Sequence, residues 1–139
     1  MSFLPEDDTD YLKTKQIQHD LRVEQQPNGT ERRGVIVTNF SFSGKLTAVD
    51  GGQLVSRSSC DVLIVIPPGY ATTKLDSFYT RPFLKKPGGA NPDRANDVQD
   101  LFGSSWQFWS RHLADGEWRP GQDGLDTFLQ YVRSELERA

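Results

Sequence analysis

Cys60-Asp61-Val62-Leu63-Ile64-Val65-Ile66, stopped at once by Pro67-Pro68-Gly69-Tyr70, is the stretch on which the fold turns. Six of its seven residues are apolar, so neither face of a strand built from it tolerates water. Such a strand belongs in the middle of a sheet, covered on both sides. Proline has no N–H to give to a ladder, which ends the element abruptly. Cys60 enters this buried strand without a histidine near it in sequence, and it reads as a small packing residue rather than a nucleophile.

Upstream, Leu21 and Val23 alternate with polar neighbours. Pro27-Asn28-Gly29 then interrupts, and Gly34-Val35-Ile36-Val37-Thr38-Asn39-Phe40 resumes with β-branched residues. Asn-Gly between two extended runs predicts a hairpin. His19, at the start of the first run, reads as an edge residue without chemistry. Further back, Asp7, Asp8 and Asp10 invite a metal-binding reading, but acids favour the first turn of a helix, and Asp8 or Thr9 can cap it. Tyr11, Leu12 and Ile17 supply the apolar side of that short helix. Residues 41–56 are loop-like, punctuated by Ser43-Gly44 and Asp50-Gly51-Gly52, with a short strand expected at 46–49.

Downstream, Phe78-Tyr79-Thr80-Arg81-Pro82-Phe83-Leu84 is a further extended piece. Lys85-Lys86-Pro87-Gly88-Gly89-Ala90-Asn91-Pro92 is irregular, and its glycines match no phosphate-loop spacing. Leu125, Phe128, Leu129, Val132 and Leu136 recur at helical intervals and put five apolar side chains on one face. Asp123 is the expected N-cap, and Pro120 bars the helix from extending backward. The predicted order is an N-terminal helix, an antiparallel meander of three to four strands, a long irregular segment and a closing helix. That is an α+β domain spanning residues 1–139 as one unit.

Composition narrows the function classes. The 139 residues carry a net charge of −3, with an isoelectric point near 5.3, which disfavours nucleic acid or an anionic membrane as the main partner. A single cysteine makes no internal disulfide, no apolar run is long enough to span a bilayer, and the N-terminus lacks the regions of a signal peptide. A soluble cytoplasmic protein is expected. Two histidines 93 positions apart, with no cysteine pair, make no zinc site, and no nucleotide motif is present. Neither metal nor cofactor is therefore expected.

The chemistry is concentrated between residues 106 and 120. Trp106-Gln107-Phe108-Trp109-Ser110-Arg111-His112 and Glu117-Trp118-Arg119-Pro120 hold all three tryptophans and one of the two histidines. An aromatic frame around a hydroxyl, a guanidinium and an imidazole is how a packed scaffold immobilises polar groups. Alternatively, the tryptophans are simply core, with polar residues facing water between them. No Gly-x-Ser-x-Gly elbow precedes Ser110, so a hydrolase reading is poorly supported.

Taken together, these signatures resemble the ubiquitin-conjugating enzyme superfamily. Ile66-Pro67-Pro68-Gly69-Tyr70 is similar to the turn after its third strand, and Arg81-Pro82-Phe83-Leu84 to the approach to its active site. Trp118-Arg119-Pro120 matches its Trp-x-Pro before the next helix. The string Trp106–His112 is most similar to the bacterial branch called prokaryotic family E. The resemblance implies a domain of the UBC fold that accepts a ubiquitin-like protein from an activating enzyme and delivers it to an amine. Bacterial members are associated with a metallopeptidase that removes the modifier. In the superfamily a cysteine stands eight residues before the tryptophan of Trp-x-Pro; here that position is Ser110. The His-Pro-Asn tripeptide is missing, and Asn91-Pro92 is not at its spacing.

Three readings follow. In the first, Ser110 carries the ubiquitin-like protein as an oxyester, with His112 as its general base. Asp115 then orients the imidazole or the incoming amine, and Arg111 and Trp109 position the substrate. Two residues apart on an extended chain, Ser110 and His112 share a side and Arg111 points away. In the second, the domain is a non-catalytic variant that binds ubiquitin-like proteins. In the third it is a structural interaction module. Trp106, Trp118, Pro120 and Cys60 are structural in all three.

Overall fold

The computed structural model describes residues 3–113 and 116–139. Helix α1 (Glu6–Thr14) opens the chain and helix α2 (Leu125–Arg138) closes it. Between them run β1 (His19–Gln25), β2 (Glu31–Ser41), β3 (Thr47–Asp50), β4 (Gln53–Ser56), β5 (Ser59–Ile66), β6 (Phe78–Arg81), β7 (Asp97–Leu101) and β8 (Ser104–Trp109). Six of these strands form one antiparallel sheet in the order β1-β2-β5-β6-β8-β7, and β3-β4 is a separate hairpin. The α+β class with a helix at each end follows the sequence expectation. The sheet has more strands than the three to four expected, and it is not a simple meander, since β8 rather than β7 lies beside β6.

β5 lies inside the sheet, as its apolar faces require. Cys60, Val62, Ile64 and Ile66 point into the main core beneath the helices, with Val35 and Val37 of β2 beside them. Leu63 points to the other face, into a smaller cluster with Ile36, Leu101, Phe102 and Trp106. Leu125, Phe128, Leu129, Val132 and Leu136 of α2 are all buried in the main core. Gross burial of each such side chain is worth about 1.5–3 kcal/mol before the entropy of ordering the helix is counted.

The main departure is at residues 97–109, expected to be irregular and found as the β7–β8 hairpin. Its turn is the two residues Phe102 and Gly103, both at positive φ (52° and 77°), the geometry that matches hairpin twist. The hairpin tip lies over the sheet face remote from the helices, where the Phe102 N–H donates to Glu24 Oε2 of β1 at 3.0 Å. A Cβ built on Gly34 of β2 would stand 2.7 Å from Phe102 Cε2, so only glycine admits the ring there.

Two smaller corrections concern the helix ends. The N-cap of α2 is Gly124, not Asp123; Asp123 instead accepts from the Arg119 N–H at 2.7 Å. Asp8 is not a solvated helix-start residue. It is buried, accepting from the Leu125 N–H at 3.0 Å and from the Tyr70 hydroxyl at 2.5 Å. A carboxylate on α1 thereby satisfies one of the orphan N–H groups at the start of α2.

Candidate functional site

Residues 110–113 leave the end of β8 as a strap, tied down on both sides by long-range contacts. On one side the Ser110 N–H donates to the Arg94 carbonyl at 2.9 Å. On the other, Ser77 uses one hydroxyl twice: it donates to the Arg111 carbonyl at 2.7 Å and accepts from the Arg111 N–H at 3.1 Å. Lys74 Nζ donates to the Leu113 carbonyl at 2.8 Å. Few strap groups are left to solvent, so the backbone under Ser110 is fixed before any partner arrives.

Side chains alternate along it. Trp109 is fully buried, Ser110 half-buried, Arg111 8% exposed, and the His112 side chain 64% exposed. Arg111 points inward, where its Nε meets Glu135 Oε1 of α2 at 2.5 Å and its guanidinium lies 5.1 Å from the Trp109 ring centroid. Burial pulls the Arg111 guanidinium below its ordinary pKa. Arg138 pairs with the other oxygen of the Glu135 carboxylate. Ser110 contributes only main-chain groups to hydrogen bonds among the described residues, its carbonyl accepting from Arg111 Nη1 at 3.0 Å.

His112 is held by a residue that the sequence did not single out. Its Nδ1 lies 2.8 Å from Asp76 Oδ2, while Asp76 Oδ1 accepts from the Leu113 N–H at 2.8 Å. Asp115, the acid expected to orient the imidazole, lies outside the described residues.

The frame behind the strap also differs from expectation. Trp109 donates its indole N–H to Thr80 Oγ1 at 2.9 Å and stacks on Phe78 at 5.4 Å between centroids. Trp106 donates to the Leu101 carbonyl on the opposite sheet face, beneath the Arg81 guanidinium. Both tryptophan rings are wholly buried and Arg111 is 8% exposed in its ion pair with Glu135, so Trp109 and Arg111, expected to position a substrate, present little surface to one. Trp118 is half-buried against the core edge, its indole donating to the Ala71 carbonyl at 2.9 Å, and Pro120 is exposed. Trp118 is thus a clip on the core rim, a structural role.

A second residue missed in the sequence is Gln107, a 2% exposed amide in the core. Its Oε1 accepts from Thr80 Oγ1 and the Leu84 N–H, and its Nε2 donates to the Leu84 and Ala95 carbonyls, all at 2.7–3.0 Å. It ties β8 to the two loop segments beside the strap, and Ala95 adjoins the Arg94 carbonyl that holds Ser110.

Other candidates do not assemble a site. Cys60 is buried, its thiol pushed up to about 12 by desolvation and by neighbouring Asp61, so it is not a thiolate at neutral pH. A cleft of about 510 Å³ lies between α1 and the start of α2 and is lined in part by Asp7, Asp8, Asp10, Asp123 and Asp126, with no imidazole or thiol. No group of residues suited to hold a metal occurs among the described residues, nor any helix long and apolar enough to cross a membrane.

Terminal helices on a mostly antiparallel sheet, with a polar strap at the end of β8, are consistent with a UBC-like domain. The family model described as Prokaryotic E2 family E matches residues 4–139, and the chain belongs to that family. No curated protein and no solved structure matches the chain.

Proposed function

We propose that this protein accepts a ubiquitin-like protein from its activating enzyme on Ser110, as an oxyester, and passes it to an amine. Family membership supports the pathway and the two partners. The observation that carries the residue assignment is the alternation of burial along the strap. It turns Ser110 and His112 toward one side and Arg111 to the other, at the position eight residues before Trp118. Two residues apart on an extended chain put their side chains on the same side, about 6.5–7 Å apart at Cα, so the hydroxyl and the imidazole share one face.

In the proposed step the Ser110 Oγ attacks the thioester carbonyl that the activating enzyme presents. The new C–O bond replaces the C–S bond, the hydroxyl proton passes to His112 Nε2, and the departing thiolate takes a proton in turn. The ester is less activated than the thioester it replaces, so onward transfer depends on deprotonating the incoming amine. The protein is proposed to act in the cytoplasm, with a metallopeptidase or other deconjugating protease reversing the modification.

The test mixes the protein with ATP, an activating enzyme and a ubiquitin-like protein. The expected adduct has one partner's mass, survives thiols and is cleaved by hydroxylamine. Ser110→Ala abolishes it, and Ser110→Cys converts it to a thiol-labile form. His112→Ala slows its formation by about 10²–10⁴-fold. The second reading, a non-catalytic carrier, draws on the lack of any hydrogen bond from the Ser110 hydroxyl among the described residues. Tight binding of the ubiquitin-like protein with no gain of mass would establish that reading instead.

A further inference from the structure

We infer that Asp76 is the positioning residue of this site: it fixes His112 as the Nδ1–H tautomer and turns a free Nε2 lone pair outward. This rests on the reading of His112 as general base, but the geometry stands independently of it. A neutral imidazole has one donor and one acceptor nitrogen, and the partner of one nitrogen decides the role of the other. The Nδ1 of His112 is 2.8 Å from Asp76 Oδ2, and a carboxylate only accepts, so the proton sits on Nδ1. The Nε2 is left as the acceptor nitrogen, on a side chain that is 64% exposed.

A surface Asp–His contact alone would carry little weight, since many exposed ion pairs contribute nothing measurable. Here the carboxylate is set before the imidazole uses it. Asp76 Oδ1 is anchored by the Leu113 N–H at 2.8 Å, one residue beyond His112. Lys74 Nζ stands 3.9 Å from the same oxygen and also ties the Leu113 carbonyl, and Ser77 holds the main chain of Arg111 on the other side of His112. The segment from Lys74 to Ser77 therefore grips the strap on both sides of the imidazole and presents one carboxylate oxygen to it. Orienting a base by a carboxylate on its far nitrogen is a general device of nucleophilic catalysis. Here it is supplied from the segment leading into β6, 36 residues away in sequence.

The experiment has two independent readouts. Long-range ¹H–¹⁵N correlation spectra in mildly alkaline buffer report the tautomer of each ring, and only two rings, His19 and His112, have to be assigned. His112 is expected as Nδ1–H in the parent protein and is expected to lose that preference in Asp76→Ala. His19, whose Nδ1 contacts the Ile17 carbonyl at 2.8 Å, stays unchanged as internal reference. Ser77→Ala loosens the same strap without touching the imidazole and should leave the His112 tautomer alone. An Nε2–H signal in the parent, or the same signal with and without Asp76, overturns the inference.

The second readout is adduct formation on Ser110. Asp76→Asn should slow it by no more than His112→Ala does, and the double variant should be no slower than His112→Ala alone, because the two residues act as one unit. Asp76→Glu, which keeps an acceptor, should recover part of the rate. Losses that multiply in the double variant overturn the positioning role. If the parent protein forms no adduct, the Ser110 reading falls, and the tautomer spectrum alone decides for or against Asp76.

Discussion

Gln107→Leu removes four hydrogen bonds from the core while keeping nearly the same volume, which makes it the sharpest probe of how the strap is hung. The orphaned groups are the Leu84 N–H, the Thr80 hydroxyl and the Leu84 and Ala95 carbonyls, all on residues with no solvent exposure. Each unsatisfied buried group costs about 1–3 kcal/mol, with donors costing more than carbonyls, whose second lone pair is often unused anyway. Two donors at about 2 kcal/mol and two carbonyls at about 1 kcal/mol give about 6 kcal/mol. The better transfer of leucine into the core offsets about 1–2 kcal/mol of this. The expected net loss is about 4–5 kcal/mol, read as a lower denaturation midpoint at unchanged slope, or as a melting temperature lower by roughly 10–20 °C. Because Ala95 adjoins the Arg94 carbonyl holding Ser110, amide exchange at Ser110 should also accelerate relative to that at the centre of β5. A loss under about 1 kcal/mol would refute the reasoning, since it would mean that the four groups find other partners and the strap does not depend on this amide.

Four further outcomes are expected. Gly34→Ala should cost about 1–3 kcal/mol by overpacking against Phe102 and Leu63, and pairing it with Phe102→Leu should recover much of that in chemical denaturation. Cys60→Ala should fold with a modest loss of stability and full adduct formation, while the parent thiol resists alkylating reagents until denaturant is added. Trp118→Ala should cost about 2–3 kcal/mol, below the range for a wholly buried tryptophan, because its ring is half-buried and its indole N–H bonds one carbonyl. Hydrogen bonds from Arg119 to Asp123, and from the Ser43 N–H and hydroxyl to Glu137, hold both carboxyls below their ordinary pKa. Their contribution is fully present above the unfolded carboxylate range of about 4 and is lost as pH falls through the lower folded values. Asp123→Asn should therefore flatten the acid limb of a stability–pH curve.

The sequence carried those elements whose pattern is one-dimensional. β5 announced itself by apolarity on both faces, α2 by helical spacing, and the β1–β2 hairpin by Asn28-Gly29. β7 had no such signal: Asp97-Val98-Gln99-Asp100-Leu101 is a mostly exposed edge strand, and its polar residues read as loop. β8 was hidden for a different reason. Trp106 and Trp109 are three apart, so on a strand they face opposite sides; each fills the core of its own sheet face rather than framing a common pocket. Ser110, Arg111 and His112 were legible because they are neighbours in the chain. Their partners were not, since Asp76 is 36 residues upstream of His112 and Glu135 is 24 downstream of Arg111. Asp8 was misjudged on the same grounds, as nothing local distinguishes a carboxylate that caps its own helix from one that caps another.

That carboxylate also sets the order in which the molecule can be completed. Asp8 leaves the ribosome well ahead of both its partners: the N–H it caps belongs to Leu125, 117 residues later, and the hydroxyl it accepts from is 62 residues later. Until α2 is synthesised, α1 has nothing to close against at its first turn, and the apolar residues that α2 covers stay open to solvent. Loops that span most of a chain close late. A chain that has emerged only as far as β8 therefore lacks the roof that α2 lays over the main core.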